Sequence, residues 1–402
     1  MTGSHRGGDV RRLISVVALG VAGFGAYLGL PVILGALAAS GIVSEAQLGW
    51  IASVELLALM VGSLLVSGQL ARRTWQLVLP SITVALIANL LTGLADDAAA
   101  LFAARGFAGL GEGACFAVAL ARLPTFGDPS RNSSWFTAGV VLGGSVLLVA
   151  LPAADQWFGV AGVFGVLGLM LLAAAAVAPW LPEALNAAVK DEVSPLPASM
   201  TRLVGAIMLA GAFFYSLANT SFWAYAERLG EAGGISTSQS SVALSVSNLL
   251  SAVVSLLAYR VGRRWGLFWP QILCFVGVGL LLMTWSMNDG LGPYWIRTLI
   301  YFQGLTIAVV LQLSVIAWID RSGRLGALLP AMQGIGQAGG PALGAYALSV
   351  GHGYGLKLMG EGVVLTAAGL AALGAYRLMK RVDPTLVRPE ASHDAAVVLT
   401  EA

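Results

Sequence analysis

The chain has 402 residues, of which 57% are hydrophobic and only 10% charged, and its formal net charge is +2. A water-soluble domain carries about 25% charged residues. These proportions, with a mean hydropathy of +0.83, exclude a soluble globular protein and make lipid the solvent, and the small net charge speaks against a nucleic-acid binder.

Residues 1–12 are polar, with Arg6, Arg11 and Arg12, and read as a cytoplasmic tail. An apolar run over 13–39 follows, broken by Pro31. It is longer than the about 7–15 residues of a signal-peptide core and reads as a first membrane helix that stays attached. Further helices are expected over 47–71, 76–95, 98–121, 133–153 and 158–181. Beyond a polar stretch come 203–226, 238–259, 267–287, 293–319, 326–350 and 361–379. Each of the twelve is near the about 20 residues a crossing needs.

The basic residues orient these crossings. All but four of the 22 Lys and Arg residues fall on connections that share one side, if the crossings alternate. The exceptions are Arg105 and Arg297, inside helices, and Arg228 and Lys357, on the opposite side. Basic connections face the cytoplasm, so both termini are expected there, in a multi-pass protein of the plasma (inner) membrane. The long polar connection, 182–200, holds charges, serines and three prolines. It reads as a cytoplasmic linker between an N-terminal bundle over 13–181 and a C-terminal bundle over 201–380, with a disordered cytoplasmic tail over 381–402. The expected fold is all-α: twelve transmembrane helices in two pseudo-symmetric six-helix bundles. Echoes between the halves support it, among them Arg72-Arg73 after the second helix and Arg263-Arg264 after the eighth.

The fourth helix carries the chemistry. Arg105 and Glu112 stand seven residues apart, about two turns, on one face and about 10 Å apart along the axis. Gly109, Gly111 and Gly113 lie around them and allow another backbone to come close. Ionisable side chains at membrane depth are costly and mark function by default. A buried carboxyl at Glu112 is a candidate for loading and releasing protons. Arg105 stays charged and needs a negative partner. Either Glu55, at similar depth in the second helix, pairs with it structurally, or Arg105 faces a cavity and holds a substrate carboxylate or phosphate. Glu55 itself is structural or proton-coupling. Arg297 lies near a helix end and reads as snorkelling to the interface. In the seventh helix Tyr215, Asn219 and Trp223 recur at helical spacing, as a substrate-facing stripe or as packing. Gln303, Gln312, Gln333 and Gln337 add polar groups within spans, of which Gln303 and Gln337 complete the substrate-site candidates.

Several motifs together resemble one family. Gly68-Gln69-Leu70-Ala71-Arg72-Arg73 looks like a worn copy of a conserved loop lacking its acidic residue, and Tyr259-Arg260-Val261-Gly262-Arg263-Arg264 is a closer copy. Arg105-x-x-x-Gly109-x-Gly111-x-Gly113 and Gly336-Gln337-Ala338-Gly339-Gly340-Pro341 are similar to elements of helices 4 and 11 of that family. With the six-plus-six layout they resemble the major facilitator superfamily (MFS), over about residues 13–380. The Arg-x6-Glu of helix 4 is similar to its anion:cation symporters and spinster-like members. The resemblance implies a secondary transporter working by alternating access, with Arg105 and Glu112 tied to anion binding and proton coupling, and Arg72, Arg73, Arg263 and Arg264 in gating loops.

The expected activity is proton-coupled symport of a small organic anion. One alternative is a proton-driven efflux antiporter for lipophilic or cationic compounds. A remote one is a membrane sensor or assembly factor that transports nothing. Cys115 and Cys274 lie in apolar spans and read as packing, His5, His352 and His393 lie outside the helices, and no phosphate-cradling loop or nucleophile elbow occurs. No enzyme activity, cofactor or metal is expected. The expected partners are a small-molecule substrate, protons and membrane lipid, with no nucleic acid, and the chain is expected to be monomeric.

Overall fold

In a computed structural model, residues 3–67, 69, 73–126, 129–183, 198–285, 290–319, 324–350 and 353–382 are described. Among them the secondary structure is helical throughout, without a strand. The main helices are α1 (Gly3–Gly23), α2 (Gly25–Leu28), α3 (Leu30–Ala39), α4 (Glu45–Ser67), α5 (Thr74–Gly93), α6 (Ala98–Arg122) and α7 (Pro129–Val177). They continue as α8 (Ala198–Ala232), α9 (Thr237–Trp265), α10 (Phe268–Met283), α11 (Leu291–Ile319), α12 (Arg324–Ser349) and α13 (Gly353–Val382).

These map onto the twelve expected crossings. The first is split into α1, α2 and α3, where glycines and Pro31 interrupt it. The polar N-terminal stretch is helical from Gly3, continuous with α1. The fifth and sixth crossings run together as α7, bent back at Gly159, whose φ of 59° is one a residue with a side chain rarely adopts. Among the described residues, seven helices are individually long and apolar enough to cross a membrane. Helices α9 and α12 also reach the length of a crossing, with 29 and 26 residues. Large apolar side chains such as Leu65, Leu91, Phe107, Trp135, Leu169 and Ile296 are exposed. So much bare apolar surface suits lipid and would aggregate in water.

Two compact units result. The first comprises 1–187 with 224–228 and 236–245; the second comprises 188–223, 229–235 and 246–402. The first is built on a core from α1, α5, α6 and α7, including Val16, Leu19, Val78, Ile82, Cys115, Val118, Phe136 and Leu171. The second has its own core from α8, α10, α11 and α13, with Val204, Met208, Ile272, Ile316, Ala372 and Met379. One end of the first unit is closed by a polar clasp. Arg122 Nε donates to Thr74 Oγ1 at 3.0 Å, Thr74 Oγ1 donates to the Pro182 carbonyl at 2.9 Å, and the Thr74 amide donates to Glu183 Oε2 at 3.0 Å. The start of α5, the end of α6 and the chain after α7 are thereby tied together.

Two sequence expectations are corrected here. Lys357 does not lie on a connection: α13 begins eight residues earlier than the 361–379 pattern suggested, and Lys357 is buried within it. Arg228 is also helical, because α8 runs on to Ala232, and it pairs with Glu45 at the start of α4.

Candidate functional site

The start of α6 is set by Asp97, whose carboxylate accepts from the Ala100 amide at 2.9 Å and caps the helix. From there Arg105 and Glu112 fall on the buried face, toward α4 and α5. A Cβ at Gly109 would overlap the Glu55 carbonyl, and one at Gly113 the Leu59 carbonyl. Bare backbone at those positions is what lets α6 lie against α4 closely enough for a short Arg–Glu contact.

The cluster has four polar members on three helices. Arg105 meets Glu55 of α4 with two prongs: Nε donates to Oε2 at 3.1 Å, and the terminal Nη2 donates to Oε1. Arg105 Nη1 donates to Asn89 Oδ1 of α5 at 2.9 Å. Asn89 in turn donates through Nδ2 to Glu112 Oε1 at 2.9 Å. The second carboxylate, Glu112 Oε1, lies 4.0 Å from Arg105 Nη2. The Phe164 ring of α7 covers the guanidinium, 4.9 Å from its carbon to the ring centre, a favourable cation–π arrangement. Arg105, Glu55, Glu112 and Asn89 are all at most 2% exposed. Glu112 Oε2 has no hydrogen-bond partner among the described residues.

This geometry joins three expected residues, Arg105, Glu112 and Glu55, and adds Asn89. Arg105 pairs with Glu55, and its side chain is fully buried. Asn89 was not singled out from the sequence. The available signal was a lone amide in the apolar run Val84–Leu91.

The other candidates lie elsewhere. In the second unit Asn219 accepts from the Tyr301 hydroxyl at 3.2 Å, Tyr215 packs on Phe275 at 6.0 Å, and Trp223 is buried edge-to-face against Phe302 at 5.6 Å. Gln303 donates to the Ser247 carbonyl at 3.0 Å and accepts from Ser251, and Gln337 is half-buried on α12. Gln312 donates to the Met208 carbonyl at 3.1 Å. Arg297 reaches the end of α10, donating to the Thr284 carbonyl at 2.7 Å beside Trp285. Arg73 is exposed at the start of α5 and Arg264 is exposed near the end of α9. Arg72 and the Arg263 side chain lie outside the described residues. The first unit also holds Glu227, buried and accepting from Ser241 at 3.1 Å, which the sequence pattern had left just beyond a helix.

The sequence profile of the Major Facilitator Superfamily matches residues 14–321. The chain belongs to this superfamily. Its fold agrees. A bacterial homologue of the human lysosomal transporter Spinster is similar in two solved structures, both inward-facing. The unoccupied one has a TM-score of 0.70 at 13% identity, covering 94% of this chain and 98% of that one. The occupied one has a TM-score of 0.69 at 15% identity, with the same coverage. An auto-inhibited POT family peptide transporter is similar with a TM-score of 0.71 at 12% identity, covering 91% of this chain and 97% of that one. At such identities the likeness carries the fold alone. No curated protein matches the chain by sequence. As a superfamily member it is a multi-pass membrane protein of twelve helices in two six-helix bundles, a secondary transporter and not an enzyme.

Proposed function

We propose that the chain couples the movement of a small organic solute to protons, and that the Arg105 cluster is its coupling centre in the first unit. The observation that carries this is the sharing of one buried guanidinium between two carboxylates, one of which keeps an unpartnered oxygen. With Glu112 protonated, Arg105 and Glu55 balance each other and the cluster is neutral. With Glu112 ionised, the cluster carries one net negative charge and Glu112 competes with Glu55 for Arg105. A buried net charge is costly, so proton loading and the position of Arg105 are linked. That is a two-state element of the kind a transport cycle needs.

Arg105 acts here as the switched charge rather than as a standing solute ligand. For the organic-anion symport expected from the sequence, the anion would have to replace Glu55 at the guanidinium. For efflux of cationic compounds, the observation in favour is that two acids face one base. The membrane is the plasma or inner membrane, with both termini cytoplasmic, on the distribution of basic residues.

The substrate is to be found first. A thermal-shift screen of the purified protein against organic acids, amphiphiles and drugs finds any ligand that binds only the folded form. With that solute in proteoliposomes, Glu112→Gln is expected to abolish accumulation driven by a pH gradient while solute exchange continues. Accumulation with unchanged pH dependence would remove Glu112 from the coupling role.

A further inference from the structure

The second unit contains a buried charge pair of its own. Lys357 Nζ donates to Glu361 Oε1 at 2.5 Å, one turn apart on α13, and both side chains are 1% exposed. The other carboxylate oxygen, Glu361 Oε2, has no partner among the described residues. The Ser221 hydroxyl of α8 lies within reach of the same carboxyl. Ser216 and Thr220, on the same helix, also have buried hydroxyls without partners.

We propose that Glu361 is a second proton-exchange site, taking the proton at Oε2, with Ser221 beside the carboxyl. A permanent buried carboxylate would be expected to satisfy both oxygens, since an orphaned buried acceptor costs about 1–3 kcal/mol or more when charged. Here one oxygen is held by the ammonium and the other is left over. A proton from water adds at Oε2, the carboxyl becomes neutral and Lys357 keeps its charge; release to water reverses the step. A metal cation at the same oxygen would sit beside an ammonium with few ligands, whereas a proton needs none. The route is short. With α13 starting at Gly353, Lys357 and Glu361 lie about 6 and 12 Å along the helix from its beginning.

Among the described residues no other titratable group competes for the role. Helix α10, which packs along α13 with Gly279 against Gly362, has no Asp, Glu, Lys, Arg or His. Among these residue types α12 has only Arg324, at its first position. On α8, Arg202 is far down the helix from Ser221, and Glu231 lies ten residues beyond it. The nearer acid and base, Glu227 and Arg228, are engaged by Ser241 and Glu45. The charge acting on Glu361 is that of Lys357.

This extends the proton-coupled reading but is tested separately from it. Dicyclohexylcarbodiimide enters apolar regions and reacts with protonated carboxyls. The full-length protein in lipid nanodiscs is treated over a pH series and the adducts are mapped by mass spectrometry. Expected is an adduct on Glu361 whose yield falls about tenfold per pH unit above its midpoint, as for one titrating group. It should be absent from that peptide in Glu361→Gln. A Glu361 unmodified at every pH, or modified without pH dependence, overturns the proposal. Glu112 is read in the same digest. An adduct at Glu361 without one at Glu112 sinks the coupling role of the first unit and leaves this site standing, and the reverse does the opposite.

Discussion

The Arg105–Glu55 contact gives the sharpest test of the cluster. Glu55→Gln keeps the shape of the side chain and removes the charge that meets the guanidinium with two prongs. Breaking one side of a buried pair costs about 3–5 kcal/mol, because the other charge is left uncompensated. Here compensation is partial. Glu112 Oε1 stands 4.0 Å from Arg105, a distance at which unit charges attract by about 4 kcal/mol at an effective dielectric of about 20. Asn89 and the Phe164 ring keep their contacts. The lower end of the range therefore applies, about 3 kcal/mol, or roughly 6–12 °C in melting temperature for a unit of this size. The assay is thermal unfolding of the purified protein in detergent, followed by tryptophan fluorescence. Glu112→Gln alone should cost less, because the Asn89 donor still finds an oxygen. The double variant should cost more than the sum, with an interaction of about 0.5–3 kcal/mol, since Arg105 then has no counter-charge. A Glu55→Gln protein that melts with the wild type, or a double variant that is simply additive, would refute the shared-guanidinium reasoning.

Other consequences follow from packing and caps. Gly113→Ala pushes a methyl into the Leu59 carbonyl and is expected to cost at least about 1–3 kcal/mol, read as a lower melting temperature and yield of folded protein. Thr74→Val removes the hydroxyl that accepts from Arg122 and donates to Pro182; a loss of about 1–3 kcal/mol is expected, seen in the same melting assay. Arg297→Gln loses a contact at the exposed end of α10, should cost no more than about 1 kcal/mol, and should leave the initial rate of solute uptake unchanged.

The helix count was legible because apolar runs near 20 residues are a strong signal and lipid leaves few alternatives to helices. Helix ends were less so. The extension of α13 back to Gly353 was hidden because Lys357 looks like a surface charge until Glu361, four residues on, is seen to neutralise it one turn away. The same holds for α8, where Glu227 and Arg228 read as the start of a connection and are instead engaged by Ser241 and Glu45. At the site, Arg105, Glu112 and Glu55 announced themselves as charges in apolar surroundings. Asn89 did not, since an uncharged amide is tolerated in a membrane helix and its bridging role depends on how α5 faces α6. The aromatic stripe of α8 is a different case. Helical spacing put Tyr215, Asn219 and Trp223 on one face but said nothing of what that face meets, and each contacts a side chain of its own unit.

The two buried pairs differ in what they hold together. Arg105 on α6 takes its carboxylate from α4 and its amide from α5, so the contact fixes the register of three helices and has a structural use whatever its charge does. Lys357 and Glu361 sit on one helix, one turn apart. Burying such a pair costs desolvation that its Coulomb attraction only partly offsets, and two apolar residues would pack against α10 and α8 at least as well. On burial alone apolar residues would be favoured at these positions, and the proton exchange proposed for Glu361 would account for the charges.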